Sequence, residues 1–241
     1  MVNFNGEVKS QNQLLFNSNN RAFKYGDGLF ETLKVLNNKV IFIESHYFRL
    51  MASMRMLRME IPMDFTLEYF ENEILKTVEE NELVNARVRL TVYRKDGGLY
   101  TPSSNKINYC IEAKELNVEI KPVYEVELYK DFFINSGLLS TLKTTNKITN
   151  VIASIFASEN NYSNCILLNE KKNVVEAING NIFIVSNGII KTPPLSDGCV
   201  KGIVRAKLLD YFSRNKQYNC EEVSISPFDI QKADEVFITN V

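Results

Sequence analysis

The sequence has almost no net charge, few cysteines and no long apolar run. Its 28 lysines and arginines nearly balance its 29 aspartates and glutamates, so it has no excess charge to hold nucleic acid or an anionic membrane. Cys110, Cys165, Cys199 and Cys220 lie far apart, which excludes the paired spacing of metal sites and a dense disulfide framework. We therefore expect a small-molecule partner, no metal and no nucleic acid.

The amino-terminal segment indicates neither export nor membrane insertion. MVNFNGEVKS lacks a basic start followed by an apolar run, and no stretch of about twenty apolar residues occurs. The cysteines are expected to be buried thiols of a reducing compartment. These features predict a soluble, cytoplasmic protein. Its 241 residues, 45% of them hydrophobic, can supply the core of one large domain or two small ones.

The first half of the chain predicts a sheet covered by helices. GLFETLKVLNN and KVIFIES flank Asn37-Asn38, which favours a hairpin of two strands. Ser45 can cap a helix through HYFRLMASMRMLRM, and a second helix fits DFTLEYFENEILKTVEEN. Two further strands are predicted in ARVRLTVYR and INYCIEAKE. The segment between them, KDGGLYTPSSNK, is predicted to be a loop and is a candidate lid of the site.

The second half begins after a polar stretch at residues 115–122, a plausible linker. The predicted domains are therefore 1–114 and 115–241. Helices are predicted after Lys143 and near Gly202, and strands in EVELYKDF, CILLNEKKNVVEA and GNIFIVSNGII. Strands with inserted helices favour an α+β architecture.

Two residues of the second half could carry chemistry. Lys143 precedes a helix with apolar residues at helical spacing, where a desolvated lysine could form a Schiff base with an aldehyde. The alternative is an exposed lysine that keeps its charge in water. Glu176 follows two valines; if buried, it could face a protonated pyridine nitrogen. The alternative is an ordinary exposed glutamate at a strand end.

Two positions could bind phosphate. Arg49 shares a helix face with His46, and its planar guanidinium suits a phosphate monoester, although an ion pair with Glu44 is the alternative. His46, the only histidine, is expected to be structural. Gly202 precedes a helix whose first N–H groups could bind phosphate, although a plain loop is equally compatible with this pattern.

The order of motifs along the chain resembles the class IV aminotransferase family of pyridoxal-phosphate enzymes. This family contains branched-chain aminotransferases, D-amino-acid aminotransferases and aminodeoxychorismate lyases. The resemblance implies the fold type IV architecture, with two α/β domains, pyridoxal 5'-phosphate between them, and a homodimer whose partner contributes to the substrate pocket. It extends from about Arg21 to Thr239 and rests on RAFKYGDGLFETLKV, SHYFRL, YRKDGGLYTP, LKTTN, VVEAINGNIFIV, TPPL and VKGI.

The resemblance also implies roles for individual residues. Lys143 matches the lysine that binds the cofactor covalently and shuttles the substrate's α-proton. Glu176 matches the acid that faces the pyridine nitrogen, and Arg49 matches the phosphate-binding arginine. The other implied positions are Asn181, Ile203 and Val204 for the cofactor, and Arg94, Glu31 and Tyr25 for the substrate.

The sequence departs from the family pattern in two places. The family commonly has hydroxyl residues where this chain has 178–180, and a threonine where it has Val204. Some side-chain contacts to phosphate are therefore expected to be missing. The chain also stops at FITNV, where family members usually continue through a glycine-rich loop and a strand. This is an indication of truncation and leaves Thr239 without a firm role.

The motifs divide between two reactions. The spacing Lys143-x-x-Asn146 is similar to that of D-amino-acid aminotransferases and lyases, and YRKDGGLYTP is similar to the lyase loop. Glu31, however, stands where some lyases have threonine, and Arg94 matches a carboxylate-binding arginine of D-amino-acid aminotransferases. We expect transfer of an amino group from an amino acid to a 2-oxo acid. The alternatives are 4-amino-4-deoxychorismate lyase, which eliminates pyruvate to give 4-aminobenzoate, and a catalytically silent scaffold.

Overall fold

The chain divides into two compact units. The computed structural model describes residues 1–13, 15–118 and 121–240. The first unit comprises Met1–Glu119 with Lys143–Asn146, and the second comprises Ile120–Leu142 with Lys147–Val241. The linker predicted at 115–122 includes residues outside the described ranges. The proposed boundary after residue 114 stays a prediction. Lys143–Asn146 was placed in the second domain from the sequence, but it belongs to the first unit, because Thr144 pairs with Leu29 of that unit.

The first unit is built on a mostly hairpin-connected sheet. Its described strands pair antiparallel in the order β2-β1-β6-β5-β3-β4. Two of its helices, α2 and α3, contact this sheet and each other. The elements are β1 (Val2–Phe4), β2 (Glu7–Lys9), α1 (Arg21–Tyr25), β3 (Gly28–Leu36), β4 (Lys39–Val40), α2 (Ile43–Met56), α3 (Leu67–Glu79), β5 (Ala86–Arg94) and β6 (Ile107–Glu115).

Local sequence signals account for most of these elements. The strands predicted in ARVRLTVYR and INYCIEAKE are confirmed as β5 and β6. Helix α3 is also confirmed, with the Thr66 side chain accepting from the Tyr69 N–H. The strand KVIFIES is wrong beyond Val40, because helix α2 already begins at Ile43. Ser45 is therefore inside the first turn, and the cap position is Phe42 in a left-handed conformation.

The second unit contains a four-stranded and a three-stranded sheet in its described residues. Their orders are β12-β11-β10-β13 and β7-β8-β9, with parallel pairing between β11 and β12 and between β7 and β8. The elements are β7 (Val126–Ile134), α4 (Ile148–Glu159), β8 (Asn164–Asn169), β9 (Val174–Ala177), β10 (Asn181–Ser186), β11 (Ile189–Thr192), α5 (Ile203–Arg214), β12 (Asn219–Glu222), α6 (Pro227–Gln231) and β13 (Glu235–Thr239).

The core of the second unit lies around strands β8, β9 and β10. Every residue of β8 and β9 is buried. The apolar residues of these strands are therefore consecutive rather than alternating, and the polar Asn164, Asn169 and Glu176 are buried with them. One side of β8 packs with Val174, Ile182 and Ile184. The other side packs with Ala153 and Ala157 of α4. Among the described helices, none is long and apolar enough to cross a membrane.

The packing of β3 leads to a stability prediction. Leu33 is fully buried in this strand, whereas Leu36 lies at its exposed end. Leu33→Ala is expected to lower the free energy of unfolding by about 2–5 kcal/mol, because the removed methyl groups leave a cavity. Leu36→Ala is the matched control, with an expected loss of about 0.5 kcal/mol or less. Equal losses in urea denaturation would contradict the assignment of the two faces.

Candidate active site

Lys143 lies on a short extended segment that pairs with the beginning of β3. The Phe30 N–H donates to the Lys143 carbonyl at 2.9 Å, and the Thr145 N–H donates to the Gly28 carbonyl at 2.9 Å. The Thr145 hydroxyl also donates to the Gly26 carbonyl at 2.9 Å. Helix α4 begins at Ile148, as the sequence predicted for the segment after Lys143. The backbone of Lys143 is thus fixed by its pairing with the sheet.

The Lys143 side chain shares an aromatic ring with Arg89. Its Nζ lies 4.5 Å from the centroid of the Phe30 ring, and the Arg89 guanidinium carbon lies 3.8 Å from the same centroid. Both cations are attracted by the ring's negative face. Burial lowers the pKa of Arg89 below its usual value, Glu112 counteracts this, and the neighbouring Arg87 lowers it further. A guanidinium whose charge is partly offset by Glu112 therefore lies beside Lys143.

The sequence analysis missed Arg89 as a functional candidate. Its signal was present, because the alternation in ARVRLTVYR puts Arg89 on the opposite face from the apolar Val88 and Leu90. Thr91 lies on the same face of β5 as Arg89. Because Thr91 pairs with Phe30, the Phe30 side chain lies on this face too. Only the pairing of strands shows which aromatic ring the guanidinium meets.

Arg49 is held by a buried carboxylate. Its Nε donates to Glu31 Oε1 at 2.8 Å, and a terminal nitrogen donates to Glu31 Oε2. His46 Nδ1 lies 2.7 Å from the same Oε2. Arg49 thus forms an ion pair with Glu31, and not the one with Glu44 that was considered from the sequence. His46 is completely buried, in agreement with its expected structural role.

Opposing effects set the ionisation of Glu31. Burial alone would raise the pKa of this carboxyl group. The charge of Arg49 and the hydrogen bonds from His46 and Arg49 outweigh burial, so the pKa lies below its usual value of 4.5. Glu31 is therefore a carboxylate at neutral pH, and both of its oxygens face protein partners.

Arg94 is embedded in protein acceptors. Its Nε donates to Asp27 at 3.0 Å, and its terminal nitrogens donate to Asn105 Oδ1 and to the carbonyls of Leu57 and Arg58. The residue is buried. Asp27, Asn105 and the end of α2 are thereby tied together. This placement gives Arg94 a structural function, and its implied contact with a substrate carboxylate stays a prediction.

Arg21 holds the loop that the sequence suggested as a lid. Its guanidinium donates to the carbonyls of Gly97 and Leu99 at 3.0 and 2.6 Å, and to Asp27 at 2.8 Å. It also lies 5.0 Å from the ring centroid of Tyr25. Tyr25, implied as a substrate residue, is thus a neighbour of this clamp. The loop is anchored by a buried cation within the first unit.

Glu176 and Asn181 both bind the backbone of one residue of the second unit, Val200. The Val200 N–H donates to Glu176 Oε2 at 2.8 Å, and Asn181 Nδ2 donates to the Val200 carbonyl at 2.8 Å. Glu176 is only 6% exposed, which agrees with the buried position considered from the sequence. The two side chains fix the segment that leads into α5.

Helix α5 starts three residues after Val200. Its cap residue is Gly202, and no side chain caps the helix, so the N–H groups of its first turn, including those of Ile203 and Val204, remain available as donors. A Cβ at Gly202 would lie 1.9 Å from Asn181 Oδ1. Glycine is therefore required by the close approach of Asn181, and the predicted helix start near Gly202 is confirmed.

The predicted residues thus form separate sets in the two units. The first unit holds Lys143 and, in other networks, Arg49, Glu31, Arg94 and Tyr25. The second unit brings together Glu176, Asn181, Ile203 and Val204. In the described part of the chain, no group of three histidine, cysteine, aspartate or glutamate residues could hold a metal ion.

Comparisons with known proteins agree with these features. The model of the family "Amino-transferase class IV" matches residues 28–241. A provisionally named branched-chain-amino-acid aminotransferase of Methanocaldococcus jannaschii is 28% identical over 99% of this chain and 83% of its own length. A D-alanine aminotransferase of Bacillus licheniformis is 24% identical over 99% of this chain and 84% of its own length.

A solved structure shows the same fold. A provisionally named 4-amino-4-deoxychorismate lyase of Legionella pneumophila superposes with a TM-score of 0.87 at 24% identity, covering 97% of this chain and 85% of the other. The α+β fold type IV architecture expected from the sequence is confirmed. Because the family model spans most of the chain, the resemblance noted in the motifs is confirmed as well, and the protein belongs to the class IV aminotransferase family.

Proposed function

We propose that the protein is a pyridoxal-phosphate-dependent aminotransferase that moves the amino group of an amino acid to a 2-oxo acid. The observation that carries this proposal is the pair of Lys143 and Arg89 on the Phe30 ring. An amino acid and a 2-oxo acid share a reacting carbon next to a carboxylate. The Lys143 amine would act at the reacting carbon, and the Arg89 guanidinium would bind the carboxylate, because arginine binds carboxylates through two parallel hydrogen bonds.

The residues present fit pyridoxal 5'-phosphate, the cofactor on which this family depends. Phosphate needs several directed donors, and the uncapped first turn of α5 offers them at Ile203 and Val204. Arg49 adds a guanidinium held in a fixed orientation by Glu31. Glu176 is a buried carboxylate that would face the ring nitrogen. When bound, the cofactor supplies an aldehyde for amines and a ring that accepts electrons from the substrate's α-carbon.

Lys143 would perform two tasks in this site. Its Nζ would hold the cofactor, and it would remove the α-proton of the amino acid and carry it at that nitrogen. The pairing of its carbonyl with the Phe30 N–H fixes the base of the side chain. A lysine that carries a proton needs such a fixed backbone, because proton transfer is efficient only when the amine is within hydrogen-bond reach of the proton.

We assign Glu31 a positioning role in place of the substrate contact implied by the resemblance. It touches Arg49 and His46 from a buried position, so it acts through Arg49 by fixing the guanidinium plane. Arg49 would then meet the phosphate in this fixed orientation. Glu176 and Asn181 have a comparable effect in the second unit, where they fix the Val200 peptide in front of α5.

Replacing Lys143 tests the proposed reaction. Lys143→Ala is expected to lower turnover by at least about a hundredfold, because both covalent attachment and proton transfer are lost. Lys171→Ala is the matched control, since Lys171 is exposed at a turn. The assay measures 2-oxo acid formation from a panel of D- and L-amino acids. Release of 4-aminobenzoate from aminodeoxychorismate with no transamination would assign the lyase reaction instead.

The charge network at Glu31 predicts a pH dependence of stability. Because the folded-state pKa of Glu31 is lowered, its contribution is present above the usual value of 4.5 and is lost as the pH falls through the folded-state pKa. Glu31→Gln is expected to cost about 3–5 kcal/mol at pH 7, since Arg49 then lacks its buried partner. The variant should also lose less stability than the wild type on acidification. Parallel stability curves for the two proteins would exclude the coupling.

We also propose that the protein forms a homodimer through an apolar surface of the first unit. Phe23, Leu99 and Tyr100 are 84%, 78% and 90% exposed, and Tyr100 contacts the ring of Tyr25. Large exposed apolar side chains are typical of interfaces. A second copy would cover them and bring the tip of the clamped loop to its partner.

Sedimentation measures this association. The double variant Leu99→Ser with Tyr100→Ser is expected to shift the dimer towards monomer by at least tenfold in dissociation constant, because it removes apolar contact area. Val84→Ser is the matched control at another exposed position of the first unit. A wild-type protein that is monomeric at all concentrations would contradict the dimer.

A further inference from the structure

The first turn of α4 faces the strand that carries Glu176. The Asn150 side chain donates from Nδ2 to the Ile178 carbonyl at 2.8 Å. Lys147 lies one helical turn before Asn150 and therefore projects from the same face of the helix. Glu176 pairs with Leu167 of β8, and Leu167 packs against Ala153 and Ala157 of α4, so Glu176 lies on the face of this sheet that α4 covers. Lys147 and Glu176, both in the second unit, thus lie on the same side of this sheet.

Both side chains are largely shielded from water. Glu176 is buried, and Lys147 is half-buried at the cap position of α4. Burial lowers the pKa of Lys147 from its usual value of 10.5, and the charge of Glu176 acts in the opposite direction. A buried lysine is costly unless an opposite charge compensates it. Glu176 supplies that charge here.

Two further ionisable side chains of the second unit lie close to this part of the chain. The segment on the other side of Glu176 contains Cys199, whose pKa is raised by burial to about 12, so the thiol is neutral. Arg205 of α5 pairs with Glu222 and the Pro193 carbonyl. Lys147 is thus the cation that α4 contributes to Glu176, and the sequence analysis did not assign it a role.

We propose that Lys147 is a positioning residue for Glu176, with its positive charge acting on this side chain from the start of α4. The inference rests on the proposed function, in which Glu176 faces the cofactor's ring nitrogen. It adds a consequence for that function. A second cation beside the carboxylate opposes protonation of the bound cofactor, so the Lys147–Glu176 pair adjusts the pH range in which the cofactor is active.

The pair is tested first in the cofactor-free protein. Nuclear magnetic resonance of ¹³C-labelled lysine side chains follows the ionisation of Lys147, with Lys147→Arg used to assign its signal. Glu176→Gln is expected to increase the neutral fraction of Lys147 at least about tenfold at a fixed pH below its pKa, which corresponds to one pKa unit. Lys171, exposed at a turn, should not change. An unchanged Lys147 signal in Glu176→Gln would overturn the proposal.

The second test uses the protein loaded with pyridoxal phosphate. Lys147→Met should move the pH midpoint of the visible absorbance upwards by about one unit, because loss of a positive charge favours protonation nearby. Lys147→Arg should restore the wild-type midpoint, and Lys171→Met should leave it unchanged. The same midpoint in wild type and Lys147→Met refutes the inference. Absence of a visible band in every protein refutes the proposed function instead, and the cofactor-free measurement still decides on the pair.

Discussion

The pairing of residues 143–146 with the beginning of β3 is the constraint on which the account of the site depends. The hydrogen bond from the Phe30 N–H to the Lys143 carbonyl fixes the lysine backbone. The same residue, Phe30, offers its ring to the Lys143 amine and to Arg89. Phe30 thus fixes the position of the Lys143 backbone and brings the Arg89 guanidinium close to the Lys143 amine. Without this pairing, Lys143 would be a lysine in a connection before a helix, with no defined neighbour.

Buried charges organise the rest of the functional residues. Glu31 orients Arg49, Asp27 joins Arg21 to Arg94, and Glu176 holds the peptide before α5. Each carboxylate has partners that offset the cost of removing it from water. Arg94 and Arg89 differ in the groups that surround them. Arg94 is surrounded by structural acceptors, whereas Arg89 is stacked on a ring beside Lys143, so we propose Arg89 as the carboxylate receptor.

The sequence predicted the elements whose signals are local. Strands β5 and β6 and helix α3 follow from alternation, helical spacing and the Thr66 cap. The motifs also identified the family and the fold. Pairing between distant segments was not visible, because the sequence does not show that Lys143 joins β3 or that Glu31 meets Arg49. Arg89 and Lys147 were missed for this reason, since each owes its importance to a neighbour far along the chain.

Borohydride trapping tests the central claim that Lys143 carries the cofactor. The protein is incubated with pyridoxal phosphate, reduced, digested and mapped by mass spectrometry, with Lys143→Arg as the matched control. We expect a single stoichiometric label on Lys143 that is absent from the control. A label on Lys147, or equal low labelling of exposed lysines in both proteins, would contradict the account.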